Sequence, residues 1–368
     1  RASFAEVGGP INYTGLTPGT VTDPMKGGVI NPISVYPFPN FKAEQTKSYE
    51  LGTNLRLFNN KINIDATVYL TDTYNQTFLS SMSPASGYSG FYVQAGKVRN
   101  KGIELSLGYN DQFGKVGYAT NLTYTANRNK IMKMVHDYKN PSDGSLFSIT
   151  ELTLQDKGGV YLREKDAIGD VYVKGILARG KDGKLIEEEG GYKVDRSQRI
   201  KIGSVNPDFS IGWRHNVTWN NITLDLLFNG RFGGIVTSST QAFLDDYGVS
   251  KDTYKARQNG GVWVNGTQYD AEKYYTTIGG EQLMAYYAYK ATNIRLQEAS
   301  LSYTLPGKWF GNVINRLTVS AIGRNLWMIY NKAPFDPEMT SSTGTYNRGD
   351  VFMPPSLRSV GFSVKIEL

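Results

Sequence analysis

Two kinds of gap alternate along this chain and separate runs of residues that have β-strand periodicity. The runs are 1–7, 47–58, 62–72, 101–110, 116–128, 208–219, 222–234, 292–305, 315–329 and 357–368. The tight gaps are 59–61, 111–115, 220–221 and 306–314, and the long polar gaps are 8–46, 73–100, 129–207, 235–291 and 330–356. Antiparallel neighbours need only a tight turn at one end. Transmembrane β-barrels show this asymmetry, with short turns on the periplasmic side and long loops outside.

The side chains within the runs alternate between two kinds of face. In the run 62–72, Ile64 and Val68 share one phase and Asp65 takes the other. Charged groups cannot occupy a dry core without a large free-energy cost. We therefore expect the apolar face to meet lipid and the polar face to line a hydrated lumen. The residues predicted to face that lumen are Asp65, Glu104, Asp225 and Arg231.

The tight gaps carry hairpin chemistry and aromatic neighbours. Asn59-Asn60 and Asn220-Asn221 suit two-residue turns because Asn tolerates a positive φ. Aromatic residues flank the tight gaps, as in the aromatic girdle at a membrane interface. These residues are Phe58, Trp219, Trp309 and Phe310.

The alternation breaks in two places. In the run 292–305 the apolar phase changes between Leu296 and Leu301, which predicts a β-bulge near Glu298. His215 shares the phase of lipid-facing residues, and the sequence alone gives no reason for a histidine there.

Composition narrows the classes of function. The 368 residues include no cysteine, which excludes thiol catalysis, cysteine-ligated zinc and disulfides. The net charge is +7, but the basic residues are scattered and form no nucleic-acid module, so no nucleic-acid partner is expected. No segment reaches the length of about 18 apolar residues that a membrane helix needs.

Few residues could support catalysis. The two histidines, His136 and His215, do not lie beside a Gly-x-Ser-x-Gly elbow, and no zinc-protease motif or P-loop is present. Asp336 and Glu338 could form a carboxylate pair for glycoside hydrolysis, but the adjacent proline favours a loop-anchoring role. We therefore expect no catalytic residue, metal ion or cofactor.

The long gaps are rich in aromatic residues. Exposed rings can stack on sugars or hold a peptide backbone, contact a protein partner, or pack against one another within the loop. The candidates for contact with substrate or with a covering partner are Tyr88, Phe91, Tyr92, Trp263, Tyr269, Tyr346 and Arg348.

Several segments resemble the SusC/RagA-like TonB-dependent transporters of the Gram-negative outer membrane. The most specific is residues 96–104 (GKVRNKGIE), which is similar to a signature of that family. Further similar segments follow in the family's order: 47–52 (KSYELG), 57–62 (LFNNKI), 203–209 (GSVNPDF), 323–326 (GRNL) and 336–338 (DPE).

This resemblance implies an all-β transmembrane antiparallel barrel of about 22 strands, of which residues 1–368 form the C-terminal portion with about ten strands and long extracellular loops. The plug and the N-terminal strands would be absent. The implied function is active import of oligosaccharides or peptides across the outer membrane. A SusD-like surface lipoprotein would act as a lid, and the TonB complex would supply energy through the missing N-terminal part. Outer-membrane lipids would surround the barrel, and two transporter–lipoprotein pairs could form a dimer.

Two other classes stay open on the sequence alone. A self-contained outer-membrane barrel enzyme of about ten strands, resembling a protease, would need Asp and His near the outer rim, where only His136 is plausibly placed. A soluble carbohydrate-binding β-protein is disfavoured by the charged inward faces.

Overall fold

The computed structural model describes residues 1–9, 21–23, 29–31, 35–36, 42–81, 83–88, 90–139, 144–154, 160–311, 313–341 and 349–367. The chain divides into two compact units. The first comprises Arg1–Leu55, Ile64–Ser106 and Thr125–Asp170, and the second comprises Arg56–Asn63, Leu107–Tyr124 and Val171–Leu368. Among the described residues, no α-helix is both long and apolar enough to cross a membrane.

Within the described residues, thirteen strands begin before residue 171. They are β1 (Ala2–Gly8), β2 (Val21–Asp23), β3 (Val29–Asn31), β4 (Val35–Tyr36), β5 (Gln45–Leu57), β6 (Ile62–Ser81), β7 (Gly90–Phe113), β8 (Val116–Lys133), β9 (Val135–Lys139), β10 (Leu146–Ile149), β11 (Glu151–Leu154), β12 (Val160–Arg163) and β13 (Asp170–Leu177).

The later strands and the α-helices of the described residues follow in the second unit. The strands are β14 (Glu187–Glu188), β15 (Gly191–Tyr192), β16 (Val194–Ser204), β17 (Phe209–Trp219), β18 (Ile222–Phe232), β19 (Ile235–Ser238), β20 (Val262–Val264), β21 (Thr267–Tyr269), β22 (Ala288–Lys290), β23 (Asn293–Pro306), β24 (Arg316–Asn331), β25 (Gly349–Asp350) and β26 (Ser359–Glu367). The helices are α1 (Ser239–Asp246), α2 (Lys251–Gln258) and α3 (Ala271–Gly280).

The first unit is built on strands in the order β1-β5-β6-β7-β8. β1 and β5 are antiparallel, with Phe4 opposite Tyr49 and Ala2 opposite Leu51. Smaller pairings add β4 to β7, and β11 to both β6 and β12. β5 and β6, which contain the predicted runs 47–58 and 62–72, are therefore neighbours in the sheet, as the hairpin pattern predicts.

Within the second unit, which includes residues 107–124 of β7 and β8, the strand order is β8-β17-β18-β23-β24-β26. The pairs from β17 onward are antiparallel. Asn59, Asn60 and Asn220 have φ values of 53°, 65° and 51°, so asparagine supplies the left-handed turn conformation at these short connections, as predicted.

The predicted bulge is confirmed. In the pairing of β23 with β18, the adjacent residues Leu227 and Phe228 face Glu298 and Leu296, which leaves Gln297 as the extra residue of β23. The Gln297 amide then donates a hydrogen bond to Oδ1 of Asn325 at 2.9 Å. The phase change in the sequence therefore reflects one additional residue in the strand.

Three of the predicted long loops are wrong in part. β6 runs to Ser81 and β7 begins at Gly90, so much of the predicted loop 73–100 is strand. The gap 129–207 contains strands β9 to β16, and 235–291 contains all three helices. Apolar alternation marks a strand only where one face is apolar, so strand segments that carry polar groups on both faces give no such signal.

The helices of the second unit form a small helical subdomain with its own core. Each helix has a capping side chain, in which Ser238, Ser250 and Asp270 accept from backbone N–H groups in the first turn. The core combines leucines with aromatic rings. It consists of Leu177, Leu185, Tyr192, Ala242, Tyr269, Ile278, Leu283 and Tyr287.

Candidate functional site

A row of ion pairs crosses the polar face of the second unit's sheet. Nε of Arg214 donates to Oδ2 of Asp225 at 2.9 Å, and Asn216 donates to the same oxygen at 3.3 Å. On the next two strands, Nε of Arg324 donates to Oε2 of Glu298 at 2.8 Å. Asp225 is buried, whereas both guanidiniums stay more than half exposed. This face therefore offers oriented hydrogen-bond donors to a polar solute.

Arg231 lies on the same face of β18 as Asp225, and its Nη2 donates to the carbonyl oxygen of Val205 at 2.6 Å. Arg231 therefore holds the segment that leads into β17. Sequence reasoning named Glu298 as the position of a bulge and Arg324 within the segment 323–326, but assigned neither to the polar face. The register shift beside them obscures which face they occupy. If the alternating faces are assigned separately on each side of a bulge, such residues can be placed on the polar face.

The first unit places the other two residues predicted to face the lumen. Asp65 accepts from Nδ2 of Asn54 at 2.8 Å and pairs with Arg1 at 3.4 Å. Glu104 is exposed on β7. The assignment of these side chains to a lumen stays a prediction.

The opposite face exposes large apolar side chains. On β26 the alternate residues Val360, Phe362, Val364 and Ile366 are all more than half exposed. Their neighbours on the other face are Ser359, Gly361, Ser363 and Lys365. Soluble sheets bury such a row, so an exposed apolar row of this kind indicates contact with lipid or with protein.

His215 is accommodated within the apolar face by a hydrogen bond and an aromatic shell. Its Nδ1 lies 2.9 Å from the hydroxyl of Tyr118. The ring centroid of Trp213 lies 4.3 Å away, and Phe228 contacts the ring edge-on. A polar ring on this face thus gains a partner from the adjacent strand, which sequence periodicity could not reveal.

The segment 96–104 holds a buried carboxylate in the first unit. Arg99 makes two hydrogen bonds to Asp72, at 2.7 and 2.8 Å, and Lys97 reaches the same carboxylate at 2.8 Å. The Lys97 ammonium also lies 5.1 Å from the ring centre of Tyr74. Two cations on one acidic side chain fix β7 against β6.

Gly102 in the same segment permits a close approach. A Cβ placed there would lie 2.4 Å from the Tyr69 hydroxyl and 2.5 Å from the carbonyl oxygen of Ala126. The Tyr69 hydroxyl in turn donates to Oδ1 of Asn127 at 3.2 Å. Only glycine leaves space for this ring to cross the strand.

Asp336 anchors the segment that follows β24. Nη2 of Arg295 lies 2.8 Å from Oδ1 of Asp336, and both side chains are buried. Glu338 lies 3.7 Å from the same guanidinium, and Ser356 donates to Asp336. Burial raises the pKa of the Asp336 carboxyl, but the hydrogen bonds from Ser356 and Arg295 outweigh it and hold that pKa below its usual range. The loop-anchoring role predicted from the sequence is confirmed.

The aromatic candidates of the long gaps have different positions. Trp263 is 62% exposed on a hairpin, whereas Tyr269 is buried in the helical subdomain, where its hydroxyl accepts from the backbone N–H of Leu185. Tyr269 therefore supports the fold and offers no surface for a contact. Phe91 and Tyr92 lie within β7, contrary to their predicted loop position, and Tyr88 follows a 3₁₀ turn. Tyr346 and Arg348 lie outside the described residues.

His136 is tied to a carboxylate. Its Nε2 lies 2.6 Å from Oε2 of Glu164, which also accepts from the backbone N–H of Met134. Burial raises the pKa of Glu164, but the hydrogen bonds from His136, Met134 and Lys165 outweigh it and lower that pKa to about 2. Within the described residues, no group of three or more His, Cys, Asp and Glu side chains could hold a metal ion.

Comparison with known proteins decides the family. The sequence pattern of the family described as "TonB dependent receptor-like, beta-barrel" matches residues 1–226, more than half of the chain. The chain belongs to this family. The all-β barrel fold expected from the sequence is thereby confirmed, together with the resemblance to TonB-dependent receptors.

Named relatives of this TonB-dependent receptor chain come from Formosa agariphila. TonB-dependent receptor P3 is 24% identical over 92% of this chain and 35% of its own length. TonB-dependent receptor P39 is 21% identical over 84% of this chain and 34% of its own length. The chain thus spans about a third of the curated relatives it matches.

Solved structures with a similar fold include the RagAB peptide importer. Its closed-closed state superposes with a TM-score of 0.74 and 18% identity, covering 99% of this chain and 40% of that one. Its open-open state gives a TM-score of 0.69 with the same identity, covering 100% and 40%. The likeness extends over the whole length of the TonB-dependent receptor chain and concerns the fold.

Proposed function

We propose that this chain forms part of the barrel wall of an active importer in the bacterial outer membrane. The importer takes up oligosaccharides or peptides, draws energy from the TonB complex and is covered by a SusD-like surface lipoprotein. Its family consists of outer-membrane receptors, and its named relatives are receptors rather than enzymes, in line with a non-enzymatic role.

The observation that carries this proposal is the pair of opposite faces on the antiparallel sheet. One face exposes apolar side chains such as Phe362, and the other carries ion pairs such as Arg214–Asp225 and Glu298–Arg324. Lipid would cover the first face, and a wet passage would accommodate the second. Exposed guanidiniums and hydroxyl groups bind hydroxylated or amide-bearing solutes by hydrogen bonds.

Exposed apolar side chains on and beside the helical subdomain favour the proposal of a covering partner. Val249 and Phe352 are each more than 60% exposed although they belong to a part of the chain that contains helices and polar loops. Exposed apolar groups of this kind are typical of protein interfaces. A lipoprotein lid would bury them, and two such importer–lid pairs would form the proposed dimer.

The test is uptake of fluorescent oligosaccharides and peptides by cells that carry the full-length receptor. We expect one solute class to enter only when both the receptor and TonB are present. Equal uptake without TonB would contradict the proposal. Cleavage of a peptide at the surface of TonB-deficient cells that depends on the receptor would favour the protease-like alternative.

A further inference from the structure

A pocket of about 370 Å³ opens between α1, α2 and α3 of the helical subdomain. This volume lies at the lower end of the range for pockets that enclose small ligands. The side chains that determine its chemistry are three carboxylates, two phenols and one guanidinium: Asp245, Asp246, Glu272, Tyr247, Tyr275 and Arg257. None of them belongs to the polar sheet face described above.

Asp245 lies in the interior of this pocket. Its side chain is 4% exposed, and Nε2 of Gln241 donates to its Oδ1 at 3.0 Å. No cationic side chain of the described residues forms an ion pair with it. Burial raises the pKa of the Asp245 carboxyl, and hydrogen bonding to neighbouring neutral side chains, Ser250 first, acts against that rise.

The guanidinium that lines the pocket belongs to Arg257 and is hydrogen-bonded to the backbone. Nη1 of Arg257 donates to the carbonyl oxygen of Gly248 at 2.9 Å. No ion pair links Arg257 to a carboxylate within the described part of the chain. The pocket therefore presents three carboxylates against one cation that is bound to the backbone, and its interior is negative.

Aromatic rings complete the lining. Tyr247 is 76% exposed at the end of α1, and Tyr275 is half-buried on α3. Burial raises the pKa of Tyr275 to about 12, so its phenol stays neutral at physiological pH. An ammonium or guanidinium is attracted both to aromatic faces and to carboxylates. A neutral sugar would bring no positive charge to the three carboxylates of the lining.

We propose that this pocket binds the side-chain ammonium or guanidinium of a lysine or arginine in a peptide ligand. This inference rests on the proposed importer function and assigns a substrate class to it. The rings of Tyr247 and Tyr275 would flank the aliphatic stem, while Asp245, Asp246 and Glu272 would surround the charge.

The test uses the full-length receptor in detergent and isothermal titration with blocked tripeptides. Gly-Lys-Gly is compared with the same peptide carrying norleucine, which keeps the stem and removes the charge. We expect the norleucine peptide to bind at least about tenfold more weakly, since charge-assisted contacts dominate. Equal affinity for both peptides would overturn the proposal.

Variants locate the site. Glu272→Gln and Tyr247→Ala change exposed positions of the pocket and leave the subdomain core intact. Each should therefore weaken binding of the lysine peptide by about fivefold or more. Glu188→Gln removes an exposed carboxylate of the same unit outside this pocket and should have no effect. If Glu188→Gln weakens binding as much as Glu272→Gln does, the attraction is general and the pocket is not the site.

The binding assay needs no TonB, so its outcome is separate from that of the uptake test. If the unmodified receptor binds the lysine peptide without TonB and Glu272→Gln does not, the pocket is supported whether or not transport occurs. A neutral disaccharide that binds in a Tyr247-dependent manner, or a divalent cation that displaces the lysine peptide at equal concentration, would contradict the cationic-peptide assignment.

Discussion

Arg295 and Asp336 form a buried ion pair, with Nη2 of the guanidinium 2.8 Å from Oδ1 of the carboxylate and each side chain less than a tenth exposed. The two residues are far apart in sequence and join β23 to the segment after β24. Removal of one partner leaves an uncompensated buried charge, which costs about 3–5 kcal/mol. We therefore predict that Asp336→Asn releases the segment 332–357 to limited proteolysis.

Arg324→Gln is the matched control for that prediction. It breaks an ion pair of similar length to Glu298, but its guanidinium is 64% exposed. Exposed pairs contribute about 0–1 kcal/mol, so the cleavage rate should stay close to that of the unmodified receptor. If both variants are cleaved at the same rate, the Asp336 anchor has no special role.

Gly102→Ala should destabilise the first unit. The added Cβ would meet a tyrosine hydroxyl and a backbone carbonyl at about 2.5 Å, and overpacking of this kind costs about 1–3 kcal/mol. Gly361→Ala is the control, because a Cβ at that strand glycine meets no described atom within 4 Å. Thermal denaturation followed by circular dichroism should show a lower Tm for Gly102→Ala alone, and an unchanged Tm would refute the close approach to Tyr69.

Glu164 predicts a pH dependence for the segment 131–166. Its pKa falls from 4.5 to about 2 on folding, so the carboxylate stabilises the folded state above pH 4.5. This stabilisation, on the order of 3 kcal/mol by linkage, is lost as the pH falls towards 2. Pepsin digestion should cut the segment faster in Glu164→Gln than in the unmodified receptor at pH 4.5, and the rates should converge near pH 2. A constant difference across this range would be inconsistent with the lowered pKa.

Tyr269 and Trp263 should respond differently to alanine. Tyr269 lies edge-on to Tyr192, with ring centres 5.6 Å apart, inside the core of the helical subdomain. Large aromatic-to-alanine changes in a core cost about 3–5 kcal/mol, so Tyr269→Ala should raise amide hydrogen exchange in α3. Trp263 is exposed, and its replacement should change exchange little. Equal hydrogen exchange of α3 in the two variants would contradict a core role for Tyr269.

The strands at the tight turns could be predicted from the sequence because one face there is apolar. Phe209–Trp219 and Ile222–Phe232 agree with the predicted runs to within two residues. The extensions of β6 and β7 could not be predicted, since residues such as Asp72 and Arg99 pair with each other and not with an apolar layer. Such pairing depends on contacts across strands, which periodicity does not record.

The candidate site was harder to predict than the fold. Asp225 was found because it occupies the polar phase of an alternating strand, but Glu298 and Arg324 lie beside a bulge that obscures their face. The helices were missed because each is only 8 to 10 residues long and rich in polar residues. The pocket between them follows from tertiary packing alone.

A cysteine scan along β24 tests the central claim most directly, because residues 1–368 contain no cysteine that would compete for the label. Thr318, Val319, Ser320 and Ala321 are replaced one at a time, and intact outer-membrane vesicles are treated with a membrane-impermeant maleimide. A lipid-covered face and a wet face predict labelling at 318 and 320 and protection at 319 and 321. Uniform labelling of all four positions, or labelling in the opposite phase, would contradict a membrane-spanning importer wall.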